Sequence, residues 1–313
     1  MGGPATGLRF DPKNRMLRAA ERWLSTYRRH QPAVQPRFNM TTDVSRGAAA
    51  SGGTPLVSIA LCTYNSHKFL VPQLESLLAQ TYANIEIVVS DDASSDDTLA
   101  LLEGYVRRDA RVRVAANARN VGFGRNFENV IRNCRGAYIA PCDHDDIWLP
   151  DKVAALVAVI RDRQLAYCDS TLIDETGVSL ERRMSDIVPM LSTDDPLSFA
   201  FGNCASGHAM LFRRELVNRA LPVPEGFFYD WWIAAVAAAA GGVIYCPRSL
   251  VLYRQHGANI TDARLAQMQV DAGLAPRRDP SAARSIDGAG KQGSDASRRR
   301  VMIGSATASV RST

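Results

Sequence analysis

The chain has 313 residues, 46% apolar and 22% charged, enough to bury a sizeable core in one large or two small domains. No apolar run, the Ala-rich 233–240 included, reaches the roughly 18 residues of a membrane span, and no apolar signal core opens the sequence, so neither a spanning helix nor secretion is expected. Residues 1–53 hold nine Lys/Arg against three Asp/Glu and residues 264–313 nine against four, so an overall +5 leaves 54–263 at net −6; an acidic centre between basic tails argues against a nucleic-acid-binding core.

Residues 1–53 are rich in Arg, Gly, Ala and Pro and show no strand pattern, so they are expected to form a basic, disordered leader. Within them 14–29 has the spacing of one amphipathic helix: Leu17, Ala20, Leu24 and Tyr27 fall on one side, among Arg15, Arg18, Arg22, Arg28 and Arg29. Such a helix would lie on anionic membrane lipid. From Pro55 the pattern changes. A strand at 56–61 precedes the polar turn Thr63-Tyr64-Asn65-Ser66, and 67–80 places Phe69, Leu70, Leu74, Leu77 and Leu78 on one helical face. A strand at 85–89 ends in the acidic turn 90–98, followed by a helix carrying Leu99, Leu102 and Val106. A strand at 112–115 leads to the Gly-containing loop 120–126, a helix to about residue 133, and a strand at 137–140. This strand–helix alternation predicts an α/β fold, an open, mostly parallel sheet with helices on both faces. The turns 63–66, 90–97, 120–125 and 143–146 then share the carboxyl edge of the sheet and should open on one cleft.

The organising stretch is Asp143-His144-Asp145-Asp146-Ile147-Trp148-Leu149-Pro150-Asp151, between that strand and an apolar helix at 152–160 with Pro150 near its start. Three carboxylates within four residues repel one another and are costly to desolvate. Asp143 and Asp145, two apart, can turn oxygen ligands toward one hard cation such as Mg²⁺, which keeps its other positions for water and phosphate. A solvated acidic turn is the competing interpretation.

Further on the pattern loosens. Strand candidates at 165–168 and 170–173 flank a polar stretch at 181–196 expected to be a loop, and Asn203–His208 leads into an apolar run at 209–212. Segment 227–240 reads as a helix beginning near Asp230, with short strands at 243–245 and 250–253. After about residue 264 the composition predicts disorder. The cysteines at 62, 134, 142, 168, 204 and 246 form no CxxC pair, which fits buried thiols in a reducing compartment better than zinc ligands.

Taken together, residues 55–260 resemble glycosyltransferase family 2 with the GT-A fold. The resemblance is carried by Val57-Ser58-Ile59 with Thr63-Tyr64-Asn65, by Ser90-Asp91-Asp92 with Ser94, Asp96 and Thr98, and by Asn120-Val121-Gly122. It continues with Asp143-His144-Asp145-Asp146, Asp230-Trp231-Trp232 and Tyr253-Arg254-Gln255-His256-Gly257. The acid-rich turn before Ile147-Trp148 and the Tyr-Arg-Gln-His-Gly run are similar to bacterial rhamnosyltransferase-like members. The resemblance implies a nucleotide-binding half at 54–146 and an acceptor-binding half at 147–263. Thr63, Tyr64 and Asn65 would meet the donor nucleotide, and Asp92 would accept a hydrogen bond from a uracil- or thymine-type imide. Arg125 would pair with the diphosphate, with an exposed helix-face role as its alternative. Asp145 would be the principal ligand of Mg²⁺ or Mn²⁺, Asp143 its partner on metal and nucleotide, and His256 a further ligand or phosphate contact.

Asp230 is the candidate general base, its basicity raised by partial desolvation beside Trp231 and Trp232, whose rings would offer a platform for sugar faces; a helix N-cap beside two core tryptophans is the alternative. Gly207 and His208 resemble the acceptor-facing loop. Family members often carry an acidic residue before this Asp, where this sequence has Tyr229. The implied reaction is inverting transfer from a nucleotide-diphosphate sugar to a glycan or lipid-linked acceptor, in the cytoplasm or at the inner membrane through the basic tails. A glycoside hydrolase also uses paired carboxylates but leaves the turn at Asp92 unexplained. A non-catalytic sugar- or nucleotide-binding module on a decayed scaffold is the third reading.

Overall fold

The computed structural model describes residues 53–257 other than Phe201, together with Asn259. The leader with its segment 14–29 and the 264–313 tail lie outside the described residues. The chain runs β1 (Val57–Thr63), α1 (His67–Leu78), β2 (Ile85–Asp91), α2 (Thr98–Arg108), β3 (Val112–Ala116), α3 (Phe123–Arg132) and β4 (Tyr138–Cys142). It continues with β5 (Ile147–Trp148), α4 (Lys152–Ile160), β6 (Leu165–Ile173), β7 (Ser179–Arg183), β8 (Met210–Arg213), α5 (Val217–Ala220), α6 (Tyr229–Gly241) and β9 (Val243–Arg254).

These strands make one mixed sheet in the order β3-β2-β1-β4-β8-β6-β9-β5, with β7 attached to β6. The pairs β1–β2, β2–β3, β1–β4 and β6–β9 are parallel, whereas β8 runs antiparallel to both β4 and β6. Alternation along β1 explains the two layers of core. Val57, Ile59 and Leu61 pack with Leu70, Leu74, Leu77 and Leu156 on one face. Ala60 and Cys62 pack with Phe127, Val130, Trp232 and Ile233 on the other. Strand order reverses at β1, since β2 and β3 lie to one side and β4 to the other, so the crevice above the carboxyl ends of β1 and β4 is the switch point of the sheet.

The expected α/β architecture is the one observed, and three local readings change. The two strand candidates at 165–173 are one strand, because the buried Asp169 within it is satisfied by Ser185, whose N–H and Oγ both donate to it (3.1 and 2.7 Å). The strands at 243–245 and 250–253 are one strand, β9, with a register shift against β6 beside Asp169. Part of the expected loop at 181–196 is strand: β7 pairs along β6, then a 3-10 turn spans Met184–Asp186.

Candidate functional site

A cavity of about 610 Å³ opens over the switch point, and every polar turn expected at the carboxyl edge contributes to it: Thr63 and Tyr64, Asp92, Asn120 and Gly122, and Asp143 to Asp145. Of the two adjacent aspartates at the end of β2, Asp92 lines the cavity. Asp91 is fully buried; its Oδ1 accepts from Thr63 Oγ1 (2.8 Å) and Ser94 Oγ (2.6 Å), and its Oδ2 from the Ser94 N–H (2.8 Å). Asp92 Oδ1 accepts from Asn117 Nδ2 and the Val121 N–H (both 2.8 Å), and Oδ2 from the Gly122 N–H (2.9 Å). Asp92 therefore clamps the loop before α3. A carboxylate has about four lone-pair sites, so acceptor capacity remains on the side that lines the cavity. Gly122 sits at φ 88°, the left-handed region that glycine enters without strain.

Thr63 is held by Asp91, and Asn65 by a bond from the Ser95 N–H to its Oδ1 (2.9 Å), so both fix the rim at which the half-exposed Tyr64 ring stands. Arg125 is exposed on the first turn of α3 and outside the cavity lining, to which the loop instead gives Asn120, Gly122 and Phe123. Its expected diphosphate contact is not part of this geometry.

The acidic turn is tied down from β9. His256 Nε2 lies 2.8 Å from Asp145 Oδ2. Burial works against ionising Asp145, but the His256 hydrogen bond and the imidazole charges around it outweigh burial and hold the carboxyl below its usual range. Asp143 behaves oppositely: burial first, then the charges of Asp145 and Asp230, push it up to about 8. Asp146 is fully buried, and burial with the charges of Asp145 and Asp143 raises it well above the usual range. Its Oδ1 accepts from the Arg254 N–H (3.0 Å), while its Oδ2 has no hydrogen-bond partner.

The residues fit a hard divalent cation on this evidence. Asp143, Asp146 and His208 present ligand atoms within 4.8 Å of one another, Asp145 and His256 stand on the cavity side of the same turn, and a buried carboxylate oxygen lacks a partner.

Asp230 opens α6 and faces the same turn. Its Oδ2 accepts from Asn203 Nδ2 and the Gly207 N–H (both 3.1 Å), and its Oδ1 from the Trp231 N–H (2.8 Å). Burial raises its proton affinity, against the pull of these N–H groups. The residues around it divide. Gly207 lies against Tyr229 and Asp230: a β-carbon there would meet the Tyr229 hydroxyl and come within 2.8 Å of its Cζ. His208 is buried, stacked on Tyr253 at 4.3 Å and paired through Nε2 with Ser170 Oγ (2.9 Å). Burial, aided by Lys152, pushes its imidazole down to about 3, so it is neutral. Trp232 is core, its Nε1–H donating to the Ala220 carbonyl (2.8 Å), and the half-buried Trp231 donates to the Phe199 carbonyl (2.6 Å). Neither tryptophan lines the cavity, nor do Gly207, His208 and Asp230.

Two residues of the site carried no role in the sequence reading. Arg254 is 4% exposed: its Nε donates to the Asp145 carbonyl (2.7 Å) and its Nη1 to the carbonyls of Asp174 (3.3 Å) and Glu175 (3.0 Å). It binds the acidic turn to the β6–β7 turn. Lys152 is fully buried, donating to the His208 carbonyl (2.6 Å) with its ammonium 3.0 Å from the centre of the Trp148 ring. The signal for Arg254 was its place in the Tyr-Arg-Gln-His-Gly run; for Lys152 it was a lysine on the apolar face of a helix.

A parallel-led sheet with its crevice at the β1/β4 switch point, rimmed by a nucleotide-type turn and an acid-rich turn, is the GT-A arrangement. Solved structures agree. Staphylococcus aureus TarS 1–349 in complex with UDP-GlcNAc superposes with a TM-score of 0.54 at 17% identity, over 71% of this chain and 66% of that one. Mannosyltransferase PcManGT from Pyrobaculum calidifontis in complex with GDP-Man and Mn²⁺ gives 0.55 at 18%, over 86% and 76%. At such identity the likeness establishes the fold.

Residues 58–221 match the glycosyl transferase family 2 model, and the chain belongs to that family. It is 31% identical over 219 residues to an uncharacterized glycosyltransferase of Haemophilus influenzae, covering 65% of this chain and 66% of that protein. It is 39% identical over 126 residues to the chondroitin synthase of Escherichia coli, covering 39% and 18%. The chain thus spans just under two thirds of the first relative and under a fifth of the second.

Proposed function

We propose that the chain is an inverting, metal-dependent glycosyltransferase that moves a sugar from a UDP- or dTDP-linked donor to a hydroxyl of a glycan or lipid-linked acceptor, as in bacterial surface polysaccharide synthesis. The observation that supports this reading is that Asp143 and Asp145 line the cavity and Asp230 lies close enough for its charge, with that of Asp145, to raise the proton affinity of Asp143. Family membership and the nucleotide sugars bound by the structural neighbours support it.

In this reading residues 54–146 receive the nucleotide, with Tyr64 at the base and Asp92 as imide acceptor, and 147–263 receive the acceptor. Asp143 and Asp145, with His256, would hold Mg²⁺ or Mn²⁺, which would supply charge neutralisation for the departing diphosphate. Asp230 holds its carboxylate toward the same space through its bonds from Gly207, Asn203 and Trp231. The acceptor oxygen attacks C1 of the donor sugar and its proton passes to Asp230. The bond from C1 to the phosphate oxygen breaks with both its electrons, so the nucleoside diphosphate leaves and the anomeric configuration inverts. Among the described residues no helix is long and apolar enough to cross a membrane, and the basic tails are the proposed contact with the inner leaflet.

The test is release of nucleoside diphosphate from UDP- and dTDP-sugars by wild type and by Asp230→Asn. Metal-dependent release that falls at least about a hundredfold in the variant, as loss of a general base should cause, supports the reading. Equal release by the two proteins removes Asp230 from the chemistry.

A further inference from the structure

Asp92, Asp143, Asp145 and Glu175 all line the cavity, and Lys68 is the one Lys or Arg among the described residues that do. Lys68 stands on the first turn of α1, just after the turn that carries Tyr64. Its ammonium pairs with the carboxylate of Glu175, 107 residues away on the β6–β7 turn. The ammonium lies 5.0 Å from the centre of the Phe69 ring, and the same ring has the His256 imidazole at 5.1 Å and the Arg254 guanidinium at 4.9 Å. Lys68 therefore reaches the end of the cavity where His256 meets Asp145. Glu175 faces the same neighbours: the Lys68 hydrogen bond and charge first, then the charges of His256 and Arg254, hold its carboxyl below the usual range.

The pair is open to water, with the Lys68 side chain 65% exposed and that of Glu175 53%. An ion pair so exposed contributes little, so a more highly charged anion displaces the carboxylate at small cost. The turn beneath it stays in place, because Arg254 holds the main-chain carbonyls of Asp174 and Glu175 and not the Glu175 side chain. In the proposed reaction the anionic part of the donor, its diphosphate, comes to the acidic turn beside His256. Lysine meets phosphate as a point charge on a flexible stem and needs no fixed geometry. Arg125, the other basic residue of this half considered for that contact, stands outside the cavity lining.

We propose that Lys68 is a diphosphate-binding residue and that Glu175 is the partner its ammonium leaves when the donor enters. This rests on the glycosyltransferase reading above. The ammonium exchanges one anion for another at the cavity rim, and the released carboxylate is left in water. The competing role is a fixed strap between α1 and the β6–β7 turn, and the two roles differ in sign at Glu175.

The experiment is calorimetric titration of wild type, Lys68→Gln, Glu175→Gln and the double variant with UDP, dTDP, UDP-glucose and dTDP-glucose in Mn²⁺, alongside thermal melts. Lys68→Gln should lose about tenfold in affinity for the nucleotide that wild type binds and the same factor for its sugar ester, the size of one charge-assisted hydrogen bond. Glu175→Gln should bind equally or up to about threefold more tightly, since the ammonium no longer has a partner to leave. The double variant should match Lys68→Gln, because Glu175 acts only through the ammonium. All melts should stay close to that of wild type. No loss in Lys68→Gln would overturn the assignment. Similar losses in both single variants would make the pair a strap, and a loss confined to the sugar ester would move the ammonium to the sugar; either overturns it while leaving the glycosyltransferase reading intact. If folded wild type binds neither nucleotide, that reading itself falls and takes this inference with it.

Discussion

Asp145 and His256 stand 111 residues apart in the chain, yet the imidazole Nε2 is 2.8 Å from the carboxylate Oδ2, and both side chains are largely buried at the edge of the cleft. The pair closes the end of β9 onto the acidic turn after β4. The last strand of the sheet thereby sets the geometry of a turn that the first half of the chain supplies.

His256→Ala should weaken Mn²⁺-dependent nucleotide binding by about tenfold or more, the range found when a group that orients or joins a metal site is removed. Binding measured without metal should change little. Calorimetric titrations in Mn²⁺ and in EDTA separate the two.

Arg254→Lys keeps the charge but loses the fork that reaches the carbonyls of Asp145, Asp174 and Glu175. Loss of these partly buried hydrogen bonds from a charged donor should lower unfolding stability by about 1.5–3 kcal/mol. A urea denaturation series measures this, and the slope of the transition should stay the same.

Gly207→Ala should destabilise by about 1–3 kcal/mol through overpacking, because the new methyl meets the Tyr229 ring. The penalty should shrink in a Tyr229→Phe background, which removes the atom that the methyl meets first, while the Cζ contact at 2.8 Å keeps part of it. Melting temperatures of the four proteins in that cycle decide it.

Asp143 is held protonated up to about 8 by burial and the neighbouring carboxylates, so cation binding must expel a proton. Metal-dependent nucleotide affinity should therefore rise between pH 6 and pH 8, by at most about tenfold per pH unit for one proton. The raised folded-state value also means that this group favours folding fully below its unfolded pKa of about 3.9, a contribution lost as pH rises through about 8. Metal-free protein should lose that part of its stability toward pH 9, and Mn²⁺ should restore it; melts at both pH values with and without the ion measure the difference.

The turns at the carboxyl edge were legible because each follows an apolar strand and breaks it with Asp, Asn, Ser or Gly, a local signal. The same rule misled at β6, where Asp169 and Ser170 looked like an interruption; their partners, Ser185 and His208, lie 16 and 38 residues away. His208 and Trp232 illustrate the same limit. Both sit beside residues of the site in sequence, and distant partners (Tyr253 stacked on one, the Ala220 carbonyl accepting from the other) hold them outside the cavity lining. Arg125, a basic residue beside a glycine loop with the chemistry for phosphate, is exposed on α3 outside the cavity lining. Tyr229 was noticed only as a missing acid. Its contact with Gly207 and its stack on Phe127 are tertiary facts that no spacing carries.

The central claim, a metal-assembled nucleotide site on the acidic turn, is tested most directly by calorimetric binding of UDP and dTDP to wild type and Asp145→Ala, with and without Mn²⁺. One nucleotide should bind wild type only when the metal is present, and that binding should be lost in the variant while the thermal melt of the metal-free protein is retained. Binding of equal strength in both proteins, or failure of folded wild type to bind either nucleotide in Mn²⁺, would contradict it.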